Sequence, residues 1–111
     1  MASTIDWHAR AAAIHIDGRA VIGGRRVASS SGETFACVSP IDGRTLTQVA
    51  RGQQADIDAA VASSRKAFDD GRWAHKAPAV RKKILLRFAE KILAAKEELA
   101  LLETLDMGKP V

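Results

Sequence analysis

The stretch EELALLETLDMGKP, residues 97–110, decides how this chain is read. Leu99 and Leu102 fall at helical spacing, and Leu101 and Leu105 widen the apolar arc. Asp106 takes the next place in the Leu99, Leu102 series, so a carboxylate is expected on the side facing the core. Met107-Gly108 offers a helix stop, Lys109 suits the negative end of the helix dipole, and Pro110 forbids continuation. An unpaired buried carboxylate is costly, so Asp106 needs a partner. That partner is expected earlier in the chain, in another molecule, or in sequence not present here.

Working outward, 111 residues suggest about one small domain. A hydrophobic content of 47% with 27% charged residues is that of a folded chain and argues against disorder. The net charge of +4 gathers between Arg72 and Arg87. The Arg81-Lys82-Lys83 run has no interleaved aromatics, so it reads as a solvated helix face and no nucleic-acid partner is expected. The lone cysteine, Cys37, cannot staple the fold and fits a reducing compartment. No apolar run is long enough to span a bilayer, and Asp6, His8 and Arg10 interrupt any signal-peptide core. A cytoplasmic location and no membrane partner follow as expectations.

Before the opening stretch, the sequence predicts two hairpins and then helices. Residues 1–12 read as a short helix or lead-in. Residues 13–16 and 19–22 read as strands joined by Asp17-Gly18, a pair suited to a type I′ turn, with Gly23-Gly24 ending the unit. ASSSGE, residues 28–33, is loop by composition. A second pair follows: Thr34 to Val38, with Phe35 and Cys37 on one face, then turn residues 39–44, then a strand over 45–50. A helix over 56–68 aligns Ile57, Val61, Ser64 and Phe68, and Asp69-Asp70-Gly71 closes it. Pro78 opens the next helix, which runs to about Lys96. Its apolar residues cover more than half its circumference, so it needs neighbours on two sides. Arg81 falls within that apolar arc, with Glu103 or Asp106 as candidate ion-pair partners.

The residues with chemistry are few. Cys37 has no following helix N-terminus and no paired histidine to lower its pKa, so it reads as a packed strand cysteine. His8, His15 and His75 lack metal-ligand spacing. Gly23-Gly24 is not a phosphate loop, since no G-x-G-x-x-G is present and no helix follows. Asp106 admits two readings: a structural ion pair or backbone hydrogen bonds, or a hard-cation site in which backbone carbonyls join the carboxylate. No complete catalytic constellation is expected.

Taken in order, IDGRAVIGG (16–24), SGETFACVSPIDGRTLTQVARG (31–52), DIDAAVASSRKAFDDGRWA (56–74), RKKILLRFAEKI (81–92) and EELALLETLDMGKP (97–110) resemble the beginning of an NAD(P)-dependent aldehyde dehydrogenase. The resemblance implies an α/β fold. Residues 1–111 would form the incomplete N-terminal segment of a Rossmann-type coenzyme-binding domain, locally two β-hairpins followed by three helices. It implies that the complete enzyme is a homo-oligomer that oxidises an aldehyde substrate with NAD(P). A cysteine thiolate would attack the aldehyde, hydride would pass to the nicotinamide, and water would hydrolyse the thioester. The catalytic cysteine, general-base glutamate, oxyanion asparagine and coenzyme loop of the family have no counterpart here, so the segment alone is expected to be inactive. Position within the family also implies a structural Na⁺ or K⁺ site at the main-chain oxygens of Cys37 and Val38 and the carboxylate of Asp106. Within the family, IDGRAVIGG with SPIDGR is similar to enzymes acting on γ-glutamyl-aminobutyraldehyde and related aminoaldehydes. The alternative, from a different class, is a free-standing α+β protein-interaction module.

Overall fold

A computed structural model describes residues 4–111. The expected lead-in over 1–12 therefore falls partly outside the described residues; within them, α1 (Trp7–Ala13) begins where the Asp6 carboxylate accepts the Ala9 N–H. The order then runs β1 (Ala20–Ile22), β2 (Arg25–Val27), β3 (Thr34–Val38), β4 (Thr45–Ala50), α2 (Gln54–Asp69), α3 (Pro78–Ala94) and α4 (Lys96–Met107). Both strand pairs are antiparallel, β1 with β2 and β3 with β4.

The first hairpin is displaced from its expected place. Its turn is Gly23-Gly24, both at positive φ (61° and 76°), and its strands flank that pair rather than Asp17-Gly18. Two consecutive positive φ angles are what a two-residue hairpin turn requires, and Gly-Gly meets that need more readily than Asp-Gly. Asp17 instead accepts the Arg19 N–H at 3.0 Å, and its carboxylate takes the Arg19 guanidinium. Gly18 lies flat against β4: its carbonyl accepts the Ala50 N–H at 2.8 Å, and a Cβ there would stand 1.9 Å from the Gln48 carbonyl oxygen. The glycine serves close backbone approach, not a turn.

The second hairpin forms as predicted, with Phe35 opposite Val49, Cys37 opposite Thr47, and a bulge between Cys37 and Val38. The loop after β2 then anchors α2. Ser29 Oγ donates to the Glu33 carbonyl, and the Asp56 carboxylate accepts N–H groups from Ser30 and from Gln53. Asp56 thus caps its own helix and ties down the loop.

The core is small: among the described residues, Leu101 and Leu105 are the buried hydrophobic ones. In α4 the inward line is Leu101 and Leu105, while Leu99 is 47% exposed, so the packed face is rotated from the Leu99, Leu102, Asp106 series. Asp106 consequently stands at the edge of that face and is exposed, which corrects the inward placement. In α2 the half-buried positions are Asp56, Ala60, Ser63 and Ala67, the small-residue side that meets β1. The expected stripe of Ile57, Val61 and Phe68 faces outward. In α3 only Arg81 is half-buried.

The result is a plate of 47 × 43 × 19 Å with a radius of gyration of 18.0 Å. A compact chain of this length has about 13 Å. Its accessible surface is 8739 Å², against about 5,900 Å² for a folded monomer of this mass. Many of the exposed large apolar residues lie on α2 and α3, among them Val61, Phe68, Leu85, Phe88 and Leu93.

Candidate functional site

Of the expected site residues, Cys37 and Asp106 meet, through the thiol and not the main-chain oxygen, while Val38 is 53% exposed and does not line the cleft that they share. β3 carries Cys37 to the place where α4 ends, and Cys37 Sγ donates to Asp106 Oδ1 at 3.3 Å. Gly108, at φ 75°, caps α4 and returns its N–H to the Thr104 carbonyl. That stop seats the helix end beside the Pro40 turn: a Cβ on Gly108 would be 3.5 Å from the Pro40 ring. Cys37, Leu105 and Asp106 line a cleft of about 450 Å³, together with Asp17, Thr47 and Glu103 among others. Thr47 donates its hydroxyl to the Ile16 carbonyl at 2.9 Å, so the irregular segment beside β4 forms one wall.

The electrostatics oppose a nucleophilic role for Cys37. Its hydrogen bond to the Asp106 carboxylate pushes the thiol pKa up, and desolvation and the nearby negative charge push the same way. A thiol held protonated is a donor, not an attacking group. The Asp106 carboxylate does have a partner earlier in the chain, and it is this thiol. The carbonyls of Cys37 and Val38 flank the β3 bulge, where ladder pairing is interrupted.

Arg81 pairs with neither Glu103 nor Asp106; its Nε is buried without a hydrogen-bond partner. The ion pairs among the described residues are made by other arginines, among them Arg10 with Glu97, Arg19 with Asp17 and Arg72 with Asp70. No cluster of three His, Cys, Asp or Glu side chains suited to a metal occurs among the described residues. Gly23-Gly24 leads into a strand, so its amides are not backed by a helix N-terminus, and these residues do not fit a dinucleotide phosphate. No helix among the described residues is long and apolar enough to cross a membrane.

Comparison with known proteins gives these features a context. The aldehyde dehydrogenase family profile matches residues 27–111, which is most of the chain. The chain belongs to the aldehyde dehydrogenase family. It is 42% identical over 105 residues to the NADP/NAD-dependent aldehyde dehydrogenase of Escherichia coli, covering 95% of this chain and 21% of that protein. Among solved structures it is similar to the indole-3-acetaldehyde dehydrogenase of P. syringae, solved with NAD⁺, at a TM-score of 0.92 and 55% identity. It is also similar to a γ-glutamyl-γ-aminobutyraldehyde dehydrogenase from Burkholderia cenocepacia, at 0.93 and 52%. Both alignments cover 95% of this chain and 21% of the other. The chain thus spans about a fifth of the length of these aldehyde dehydrogenases and corresponds to their N-terminal part.

Proposed function

We propose that this chain is the N-terminal scaffold of an enzyme that oxidises an aldehyde to a carboxylic acid with NAD(P), and that it is inactive by itself. The carrying observation is the family match over residues 27–111, joined to a fold that superposes at a TM-score of 0.92 on 21% of a related dehydrogenase. The thiol that is present donates to a carboxylate that raises its pKa, which opposes a nucleophilic role. The test is an assay of the 111-residue chain with NAD or NADP and a panel of aldehydes: no reduced coenzyme is expected, and measurable turnover overturns the reading.

Three finer statements belong to the same proposal. The substrate class is aminoaldehydes, supported by the γ-glutamyl-γ-aminobutyraldehyde dehydrogenase among the relatives. A relative of similar identity acts on indole-3-acetaldehyde, so substrate profiling of the complete enzyme decides this. The carbonyls of Cys37 and Val38 with the Asp106 carboxylate hold a structural Na⁺ or K⁺, a reading that rests on family position and on the end of α4 lying beside β3, where the Cys37 thiol reaches Asp106. Replacing both ions by choline is expected to lower the melting temperature, and an Asp106→Asn variant to lose that dependence. The complete enzyme is a cytoplasmic homo-oligomer, a reading supported by the lone cysteine and the family resemblance and tested by fractionation and light scattering.

The interaction-module alternative requires a unit that closes its own core. Two buried leucines and a surface well above that of a compact monomer favour the scaffold. A sharp, cooperative melt of the isolated monomer would reverse that preference.

A further inference from the structure

Asp-Gly occurs three times in this chain, at 17–18, 42–43 and 70–71, and each time Arg follows. The first two copies share the tetrapeptide Ile-Asp-Gly-Arg. In all three the Asp carboxylate accepts the N–H of the Arg two residues on, at 3.0, 3.1 and 3.0 Å. Their surroundings then diverge. Arg19 donates Nε and Nη2 to the two Asp17 oxygens at 3.0 and 2.7 Å, and Arg72 holds Asp70 in the same fork. Arg44 stands off, its Nε 3.5 Å from Asp42 Oδ2, beyond ordinary hydrogen-bond length. The glycines differ in the same sense. A Cβ on Gly18 would meet the Gln48 backbone and one on Gly71 would meet the His75 ring, whereas nothing lies within 4 Å of one on Gly43.

We propose that Asp42-Gly43 is a site of spontaneous isomerisation to isoaspartate, and that the arginine forks and close packing protect Asp17-Gly18 and Asp70-Gly71. In this reaction the Gly43 nitrogen attacks Asp42 Cγ. A bond from nitrogen to Cγ forms, the bond from Cγ to its hydroxyl breaks, and the hydroxyl leaves with the amide proton as water. The product is a five-membered imide. Water then opens it at Cγ, restoring aspartate, or at the α-carbonyl, which routes the main chain through the side-chain methylene and frees an α-carboxylate. No other reactant enters, and the composition is unchanged. Glycine permits the attack because no Cβ shields its nitrogen. The carboxyl must also be free to take up a proton and turn onto that nitrogen, and the backbone must be free to close the ring. A carboxylate gripped by two guanidinium N–H groups is kept ionised and fixed: Asp17 is held well below the usual carboxylate range, and Asp70 is lowered to about 2. The Gly43 N–H donates to the Ser39 carbonyl at 3.0 Å, but Gly71 makes an equivalent bond to Phe68 at 3.1 Å, so that bond does not distinguish these two sites.

The test incubates the unaltered chain in mildly acidic buffer at body temperature, beside a parallel sample in concentrated urea. Isoaspartate at each position is measured by mapping tryptic peptides against synthetic isoaspartyl standards. In buffer, position 42 is expected to accumulate isoaspartate at least fivefold faster than position 17 or 70. In urea the difference between 17 and 42 is expected to vanish, because both lie in the same tetrapeptide. A lead of less than fivefold in buffer, or one over position 17 that survives urea, overturns the proposal. The comparison uses no variant, so it does not depend on a substituted chain folding. Neither coenzyme nor aldehyde enters it, so its failure leaves the enzyme reading intact.

Discussion

The end of the molecule built from α1, α4 and the second hairpin differs sharply from the arm made by α2 and α3. In the first, Leu101 and Leu105 are buried, Cys37 reaches Asp106, and Arg10 of α1 pairs with Glu97 of α4 across 87 residues of sequence. In the second, α2 turns its small side to β1 and leaves Ile57, Val61 and Phe68 in solvent. The longest helix, α3, buries no residue at all. Both regions carry enough apolar residues for a core. The difference is that α4 finds its cover within these residues and α3 does not, so apolar periodicity reports a need for burial and not its fulfilment.

Truncating each region is the strongest way to break this contrast. Leu105→Ala removes one of two core side chains and is expected to cost about 2–5 kcal/mol in urea denaturation. Phe88→Ala, at a residue 60% exposed, is expected to change stability by no more than about 0.5 kcal/mol in this chain. Equal effects would show that the arm has a core after all. Gly18→Ala comes next, because its Cβ would collide with the Gln48 backbone; a loss of about 1–3 kcal/mol is expected.

Asp56 sharpens the comparison at the hinge between the regions. Its carboxyl is held below the ordinary value of 3.8, chiefly by the Gln53 N–H; desolvation opposes this, and the Ser30 N–H and hydroxyl add further lowering. A lowered folded-state pKa means that its stabilisation is present above pH 3.8 and is lost as the pH falls through the folded value. Asp56→Asn should therefore flatten the acid limb of a melting-temperature profile; an unchanged limb would show that the loop anchor is immaterial.

The smallest expected effect on stability is at Cys37. Its pKa is raised above 9.0, chiefly by the Asp106 hydrogen bond, so its contribution is complete below that pH and fades as the pH rises through the folded value. At pH 8 the thiol should react slowly with an aromatic disulfide reagent, and Asp106→Asn should speed the reaction by releasing the thiol. Equal rates would separate Asp106 from Cys37.

Much of this was legible in the residues. Pro78 marked the start of α3, Gly71 and Gly108 marked helix ends at φ 70° and 75°, and the second hairpin lay where its turn chemistry put it. The first hairpin was misplaced because Asp17-Gly18 and Gly23-Gly24 are both turn pairs in isolation. The decisive fact is that Gly18 lies against β4, a contact 30 residues away in sequence. The meeting of Cys37 with Asp106 was expected from family position, since 69 residues separate them and no local pattern joins them.

What the sequence determined by itself is the set of local choices: where helices stop, which turns are tight, how much apolar surface must be covered, and which family the chain resembles. Those rest on backbone sterics, capping and side-chain periodicity, which act within a few residues. Only the tertiary structure decided which arc of each helix faces inward, that Asp106 sits at the rim with a thiol for a partner, and that Arg81 finds no acceptor for its Nε among the described residues. Such outcomes depend on what stands opposite a side chain, and a broad apolar helix offers several arcs that bury almost equally well until a particular neighbour selects one.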